Sequence, residues 1–272
     1  MTAVDKRAKK CYTKKDENSQ GKIMKLEEWI GSLSEEAKKN AYRFEMLRDC
    51  IPLGFFSGGE IALAHLKQQP ERNHFTFASG EHGKEFIQNL ALSLAVLYDR
   101  SEAQFLLLSP RSELKPLLKL QNADINALYV QTEQDFSLAV EGIKALANLQ
   151  KRGVGYPKLI VVAEGLEEID GIYQDDITEP YIRLHEALGD SVCELIATAD
   201  LNQSRYFTFP GAFLGIGNCL VATKTPGKAD VTHVGADSSL SLPREISYPH
   251  EDSLEESVSF FNGLEQEGES QE

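Results

Sequence analysis

Residues 74–99 read HFTFASGEHGKEFIQNLALSLAVLYD. The stretch predicts a strand over His74–Ala78, a tight loop and a helix whose apolar face carries Phe86, Leu90, Leu94 and Leu97. Gly83-Lys84 stand where the pattern G-x-x-x-x-G-K-[ST] has its glycine and lysine. In that pattern glycines let backbone N–H groups curl around phosphate oxygens, the lysine reaches the outer phosphates, and the hydroxyl binds magnesium. The following helix aims its N-terminus at the anion. Here Ala78 occupies the place of the first glycine and Glu85 that of the hydroxyl, while Gly80 adds freedom inside the loop. The candidate nucleotide-binding residues are Ser79, Gly80, Glu81, His82, Gly83, Lys84 and Glu85.

Outward from this stretch the chain alternates between short apolar runs and helical patterns. Phe105–Leu108 is a continuous apolar run of the kind buried in parallel sheets, and Leu128–Val130, Leu159–Val162, Val192–Thr198 and Cys219–Thr223 are further strands. Thr132 with Asp135 caps a helix carrying Phe136, Ala139, Ile143 and Ala147, closed by Lys151-Arg152-Gly153. Pro180 opens a helix that runs to Leu188 and stops at Gly189. Strands separated by helices of these lengths predict an α/β domain with a mainly parallel central sheet flanked by helices, its ligands beyond the carboxyl ends of the strands.

The domain spans residues 51–249. Before it, residues 1–50 form a basic extension: residues 1–21 read as disordered, and Ser32 with Glu35 opens a helix carrying Ala37, Ala41 and Phe44. Ile51-Pro52-Leu53-Gly54 ends that helix, and Gly58-Gly59 mark a turn before a short strand or helix. Residues 250–272 form an acidic tail with one short helix around Leu254–Phe261. Its Phe260-Phe261 pair reads either as a docking motif or as a helix face returning to its own domain.

Charge follows the same division. Residues 1–50 hold 12 basic and 9 acidic residues, residues 51–250 hold 16 and 25, and residues 251–272 hold none and 8. The acidic middle argues against a broad grip on nucleic acid. No apolar run approaches the roughly 18 residues of a membrane helix. Cys11, Cys50, Cys193 and Cys219 lack metal or redox spacing, so a reducing cytoplasm is the expected setting. The histidines, His65, His74, His82, His185, His233 and His250, show no metal motif.

Four segments taken together carry a resemblance. They are IPLGFFSGGEIALAHLKQQPERNHFTFASGEHGKE (51–85), LAVLYDRSEAQFLLLSPRSE (94–113), KLIVVAEGLEEI (158–169) and DSVCELIATADLNQSRYF (190–207). In order and spacing this region resembles the motor domain of FtsK/SpoIIIE-type translocases and secretion ATPases, a RecA-like P-loop family. The first segment looks like the family's opening strand and Walker A loop, the third like its Walker B strand, and the fourth like its sensor strand. The resemblance implies a RecA-like fold, ATP as the ligand of residues 79–85, Glu164 as the catalytic glutamate, and a motor-like homo-oligomer or a protein partner.

The departures from the family pattern fall on chemistry. Glu85 replaces the magnesium-binding hydroxyl, Ala163 the Walker B aspartate, Ala199 the sensor glutamine, and Ser109 a further aspartate. A carboxylate about 4 Å from a phosphate charge costs roughly 4 kcal/mol at an effective dielectric of 20, nearly three decades of affinity. Glu85 instead suits the first turn of its helix and has Lys84 or His82 within reach of pairing. Lys84 reads as a phosphate ligand or as a residual lysine, exposed or paired. Glu164 reads as the catalytic acid or as the first acid of a solvated Glu164–Asp170 turn. Arg205 reads as an arginine finger or as a surface charge. The expectation is a degenerate P-loop domain that holds magnesium poorly, ATP doubtfully, and acts as an interaction or regulatory module. The alternatives are an active ATP-dependent translocase of DNA or protein, and an NTP-binding switch without turnover.

Overall fold

The structure, a computed structural model, describes residues 25, 28, 29, 31, 50–65, 74–98, 100–121, 123–151, 157–170, 179–188, 193–198, 219–234, 240–250 and 253–269. The helix expected from Ser32 lies outside these residues, as do Ala199, Arg205 and Gly189.

In chain order the strands are β1 (Cys50–Phe56), β2 (Ile61–His65), β3 (His74–Ser79), β4 (Ala103–Ser109), β5 (Asp124–Tyr129), β6 (Lys158–Glu164), β7 (Cys193–Thr198), β8 (Cys219–Thr225), β9 (Lys228–His233) and β10 (Arg244–Ser247). The helices are α1 (Gly83–Leu97), α2 (Glu133–Lys151), α3 (Glu179–Leu188) and α4 (Leu254–Glu269), with 3₁₀ turns at Lys115–Lys119 and Leu166–Glu168. Among the described residues the strands form one sheet in the order β2-β1-β10-β9-β8-β3-β7-β6-β4-β5. The block from β8 to β5 is parallel throughout. The flank from β9 to β2 is antiparallel.

The parallel block follows from the apolar runs. In β4, Phe105 and Leu107 join the core on one side of the sheet, and Leu106 and Leu108 the core on the other. In β6, Ile160 and Val162 face the first side, and Leu159, Val161 and Ala163 the second. A strand buried on both faces needs this continuous apolar character. α1 and α4 belong to the first side, α2 and α3 to the second.

The antiparallel flank has a weaker signal. β9 reads KADVTH and β10 reads REIS, short and half polar, so neither stands out as a strand until its neighbour pairs with it. The Gly58-Gly59 turn is a hairpin bend between β1 and β2. β5 begins at Asp124, ahead of the expected Leu128; its polar Asp124 and Asn126 are tolerated because it is the edge strand.

Two segments outside the expected domain limits pack into it. Trp29 is 1% exposed and meets Phe55 edge to face at 4.8 Å. In α4, Val258 and Phe261 are buried in the same core, and Phe260 packs against it. Lys119 pairs with Glu255, and Asn262 donates to the Lys119 carbonyl at 2.8 Å. The Phe260-Phe261 pair thus belongs to a helix face returned onto the domain.

Candidate nucleotide-binding loop

Strand β3 ends at Ser79, and residues 80–82 turn the chain into α1. Gly80 has φ +95°, and a Cβ there would lie 2.7 Å from both the carbonyl oxygen and Oγ1 of Thr223 on β8. Only glycine fits this close approach. Thr223 Oγ1 donates to the Ser79 carbonyl at 2.7 Å, and Gly83 N–H closes the turn onto the Gly80 carbonyl at 3.0 Å. His82 caps α1 without a side-chain hydrogen bond.

Lys84 and Glu85 both have partners. Glu85 Oε2 lies 3.1 Å from His82 Nδ1, and its Oε1 2.6 Å from His250 Nδ1. Lys84 does not pair with Glu85. Its Nζ donates to Glu168 Oε1 at 3.4 Å and sits 3.7 Å from Glu113 Oε2. Arg111 joins the same group, 2.5 Å from Glu168 Oε2 and 3.5 Å from Glu113 Oε1. Glu113 follows β4 and Glu168 follows β6, so both come from loops beyond the carboxyl ends of the parallel strands. Partly exposed pairs of this kind contribute only about 0–1 kcal/mol each. Their weight lies elsewhere: any phosphate brought to Lys84 Nζ also enters the neighbourhood of two carboxylates.

Glu164 ends β6 and is 1% exposed, so it is not part of a solvated turn. Gln88 of α1 donates to its Oε1 at 3.3 Å, and its Oε2 is buried without a partner among the described residues. Burial, then the neighbouring Glu113 charge, pushes its carboxyl from an ordinary 4.5 up to about 8, with Lys84 opposing the rise. The shift favours the protonated form, away from the ionised base that polarises water. Gly165, at φ +65°, turns the chain behind it into the 3₁₀ turn that presents Glu168.

The alternation of β6 also decides position 163. Ala163 is fully buried with Leu159 and Val161 on the α2–α3 side, whereas Glu164 faces α1. Ser109, at the end of β4, is buried and accepts the Arg111 N–H at 3.1 Å. No group of three or more His, Cys, Asp or Glu residues among the described residues has the geometry to hold a metal ion. Around the loop, position 85 carries a carboxylate already engaged by two histidines, position 163 a buried methyl group and position 164 a buried acid.

Sequence reasoning named residues 79–85 and Glu164, and it singled out Ser109 as a departure from the family pattern. It missed Gln88, Glu113, Glu168, Thr223 and His250. Their one available signal is position: Glu113 and Glu168 follow predicted strand ends, where the loops of a parallel sheet converge.

No protein-family model matches the sequence, and no curated protein matches it. Solved structures do. The cytoplasmic domain of the type VII secretion ATPase EccC from Thermomonospora curvata superposes with a TM-score of 0.53 at 12% identity over 75% of this chain and 26% of that one. A second EccC structure from the same organism, holding ATPases 2 and 3 in complex with a signal sequence peptide, gives 0.54 at 13% identity over 75% of this chain and 41% of that one. ATPases 2 and 3 of EssC from Geobacillus thermodenitrificans give 0.54 at 14% identity over 80% of this chain and 49% of that one. This chain thus spans about a quarter to a half of the structures it resembles. At such identities the likeness carries the fold, which is the RecA-like α/β fold of P-loop ATPase domains. No helix among the described residues is long and apolar enough to cross a membrane.

Proposed function

We propose that this chain is a degenerate P-loop domain that does not hydrolyse ATP and serves as an interaction or regulatory module of a translocation or secretion assembly. The observation that carries the reading is the state of Lys84. The lysine that should meet a phosphate is held between Glu168 and Glu113, at 3.4 and 3.7 Å. An incoming phosphate has to compete with Glu113 and Glu168 for Lys84 and Arg111, and the hydroxyl and aspartate of the family pattern are replaced by Glu85 and Ala163.

The fold supports a protein-facing role, since the EccC pair of ATPase domains is known in complex with a signal sequence peptide. The partner proposed for this chain is a protein, either an active ATPase of the same fold or another copy of itself. The acidic balance of residues 51–250 argues against DNA.

Titration calorimetry with ATP and magnesium, beside a phosphate-release assay, tests this. The expected outcome is neither heat of binding nor turnover. Turnover that disappears in Lys84→Ala overturns the proposal in favour of an active translocase. Binding without turnover, lost in the same variant, turns the domain into a nucleotide switch.

A further inference from the structure

The two carboxyl oxygens of Glu164 are treated differently. Gln88 donates to Oε1 at 3.3 Å. Oε2 is buried, and no nitrogen or hydroxyl among the described residues donates to it. A carboxylate oxygen in that position has lost its water and gained no donor in return. What does come within hydrogen-bond reach of the Glu164 carboxyl is a second carboxyl, that of Glu113. Two ionised carboxylates carry only acceptors, so the pair bonds only when one of them keeps a proton.

The charges around Glu164 come from three elements. α1 supplies Lys84, one turn ahead of the neutral Gln88, while its Glu85 is engaged by His82 and His250. The loop after β4 supplies Arg111 and Glu113, and the 3₁₀ turn after β6 supplies Glu168. The strand neighbours are uncharged: Ser109, next after the Leu108–Ala163 pair on β4, and Thr198, the register partner on β7. Lys84 divides its contacts between Glu168 and Glu113 at 3.4 and 3.7 Å, and Arg111 does the same at 2.5 and 3.5 Å. Two cations and two carboxylates already balance. A third ionised carboxyl beside them has no countercharge of its own. Burial and the Glu113 charge both push the Glu164 carboxyl up, in agreement with this count.

The three acids also differ in freedom. Glu164 is fixed at a strand end, 1% exposed, whereas the side chain of Glu113 is 40% exposed on its loop. When the two repel, Glu113 is the one that can turn to water.

We infer that Glu164 and Glu113 share one proton, and that this proton is the catch that holds Glu113 against Lys84. At alkaline pH the proton goes to solvent, and two adjoining carboxylates remain. Glu113 turns outward, and Lys84 exchanges that contact for the newly ionised Glu164. Glu164 is thus a positioning residue, acting on the lysine through Glu113. The device belongs to the charged cluster itself and operates whether or not ATP binds at the loop.

Nuclear magnetic resonance of the nucleotide-free chain, with isotope-labelled glutamate carboxyls and lysine ammonium groups, tests it from pH 5 to 10. Glu113→Gln, Glu164→Gln and Lys84→Gln assign the signals. In the native chain the Glu164, Glu113 and Lys84 signals move together in one alkaline step. In Glu164→Gln a neutral amide keeps the shape and still donates to Glu113, so the alkaline movement of Glu113 and Lys84 is lost. In Glu113→Gln the Glu164 step moves to lower pH by about one unit, because the charge opposing its ionisation is gone. The infrared band of a protonated carboxyl fades in the same step and is absent from Glu164→Gln. Glu113 and Lys84 signals that stay flat through the Glu164 step, or that move alike in Glu164→Gln, overturn the inference. So does a Glu164 step that Glu113→Gln leaves in place. Glu113 lies on a surface loop, so Glu113→Gln keeps the test decisive even where Glu164→Gln does not fold.

Discussion

Helices α1 and α2 each follow a strand of the same parallel sheet, yet they are built differently. α1 is enclosed: Phe86, Ile87, Leu90, Ala91, Leu92, Leu94, Ala95 and Val96 are all buried, with the sheet on one side and α4 and Tyr248 on the other. α2 is buried along one stripe only. Their first turns differ in the same sense. α2 is closed by a reciprocal box, in which Thr132 Oγ1 accepts the Asp135 N–H at 3.2 Å and Asp135 Oδ2 accepts the Thr132 N–H at 3.1 Å. α1 starts without a side-chain cap, on a glycine turn held by β8, with Glu85 in its first turn. Both helices are legible from their apolar spacing, but α2 satisfies its own start, whereas the start and the surface of α1 both depend on other elements.

Core truncation separates the two helices most strongly. Phe86→Ala removes a side chain that is 2% exposed and stacked edge to face on Tyr248 at 4.9 Å. It should lower unfolding free energy by about 3–5 kcal/mol, while Leu138→Ala on α2 costs about 0.5 kcal/mol or less. Urea denaturation of both variants measures the gap, and equal losses would erase the distinction.

The next effect depends on pH. Glu164, against α1, titrates near 8 in the fold and near 4.5 when unfolded. Between these values the folded chain holds a proton that the unfolded chain has released. Stability therefore falls as pH rises through that window, by at most about 1.4 kcal/mol per pH unit, and levels off above it. Glu164→Gln keeps a neutral group of the same shape and flattens this slope. Melting temperatures of both proteins from pH 5 to 9 decide the matter, and parallel profiles would reassign the proton.

The smallest effect lies at the helix starts. Thr132→Ala should cost about 1 kcal/mol by opening the α2 box. His82→Ala breaks no cap and should cost less. A larger loss at His82 would mean that its contact with Glu85 organises the loop more than the glycine turn does.

Local rules reached much of this molecule. The apolar runs of β4 and β6 announced a sheet buried on both faces, and the Thr132–Asp135 box placed the start of α2. Pro180 correctly marked the opening of α3, one residue into the helix. Polar β9 and β10 escaped because they become strands through pairing. In α4 the Phe260-Phe261 pair was legible as a possible returned face, while Val258, which shares the core with Phe261, went unmarked among acidic neighbours.

At the loop the division is sharper. The sequence by itself determined that a strand, a glycine turn and a helix present Lys84 with a carboxylate beside it, because those signals lie within a dozen consecutive residues. Only the tertiary structure decided that Glu113 and Glu168 hold Lys84, that His82 and His250 flank Glu85, and that Glu164 is buried with its carboxyl pushed up by that burial. Those partners arrive from separate loops at one edge of the sheet. A side chain's charge and pairing depend on what surrounds it in space, and spacing along the chain does not encode that.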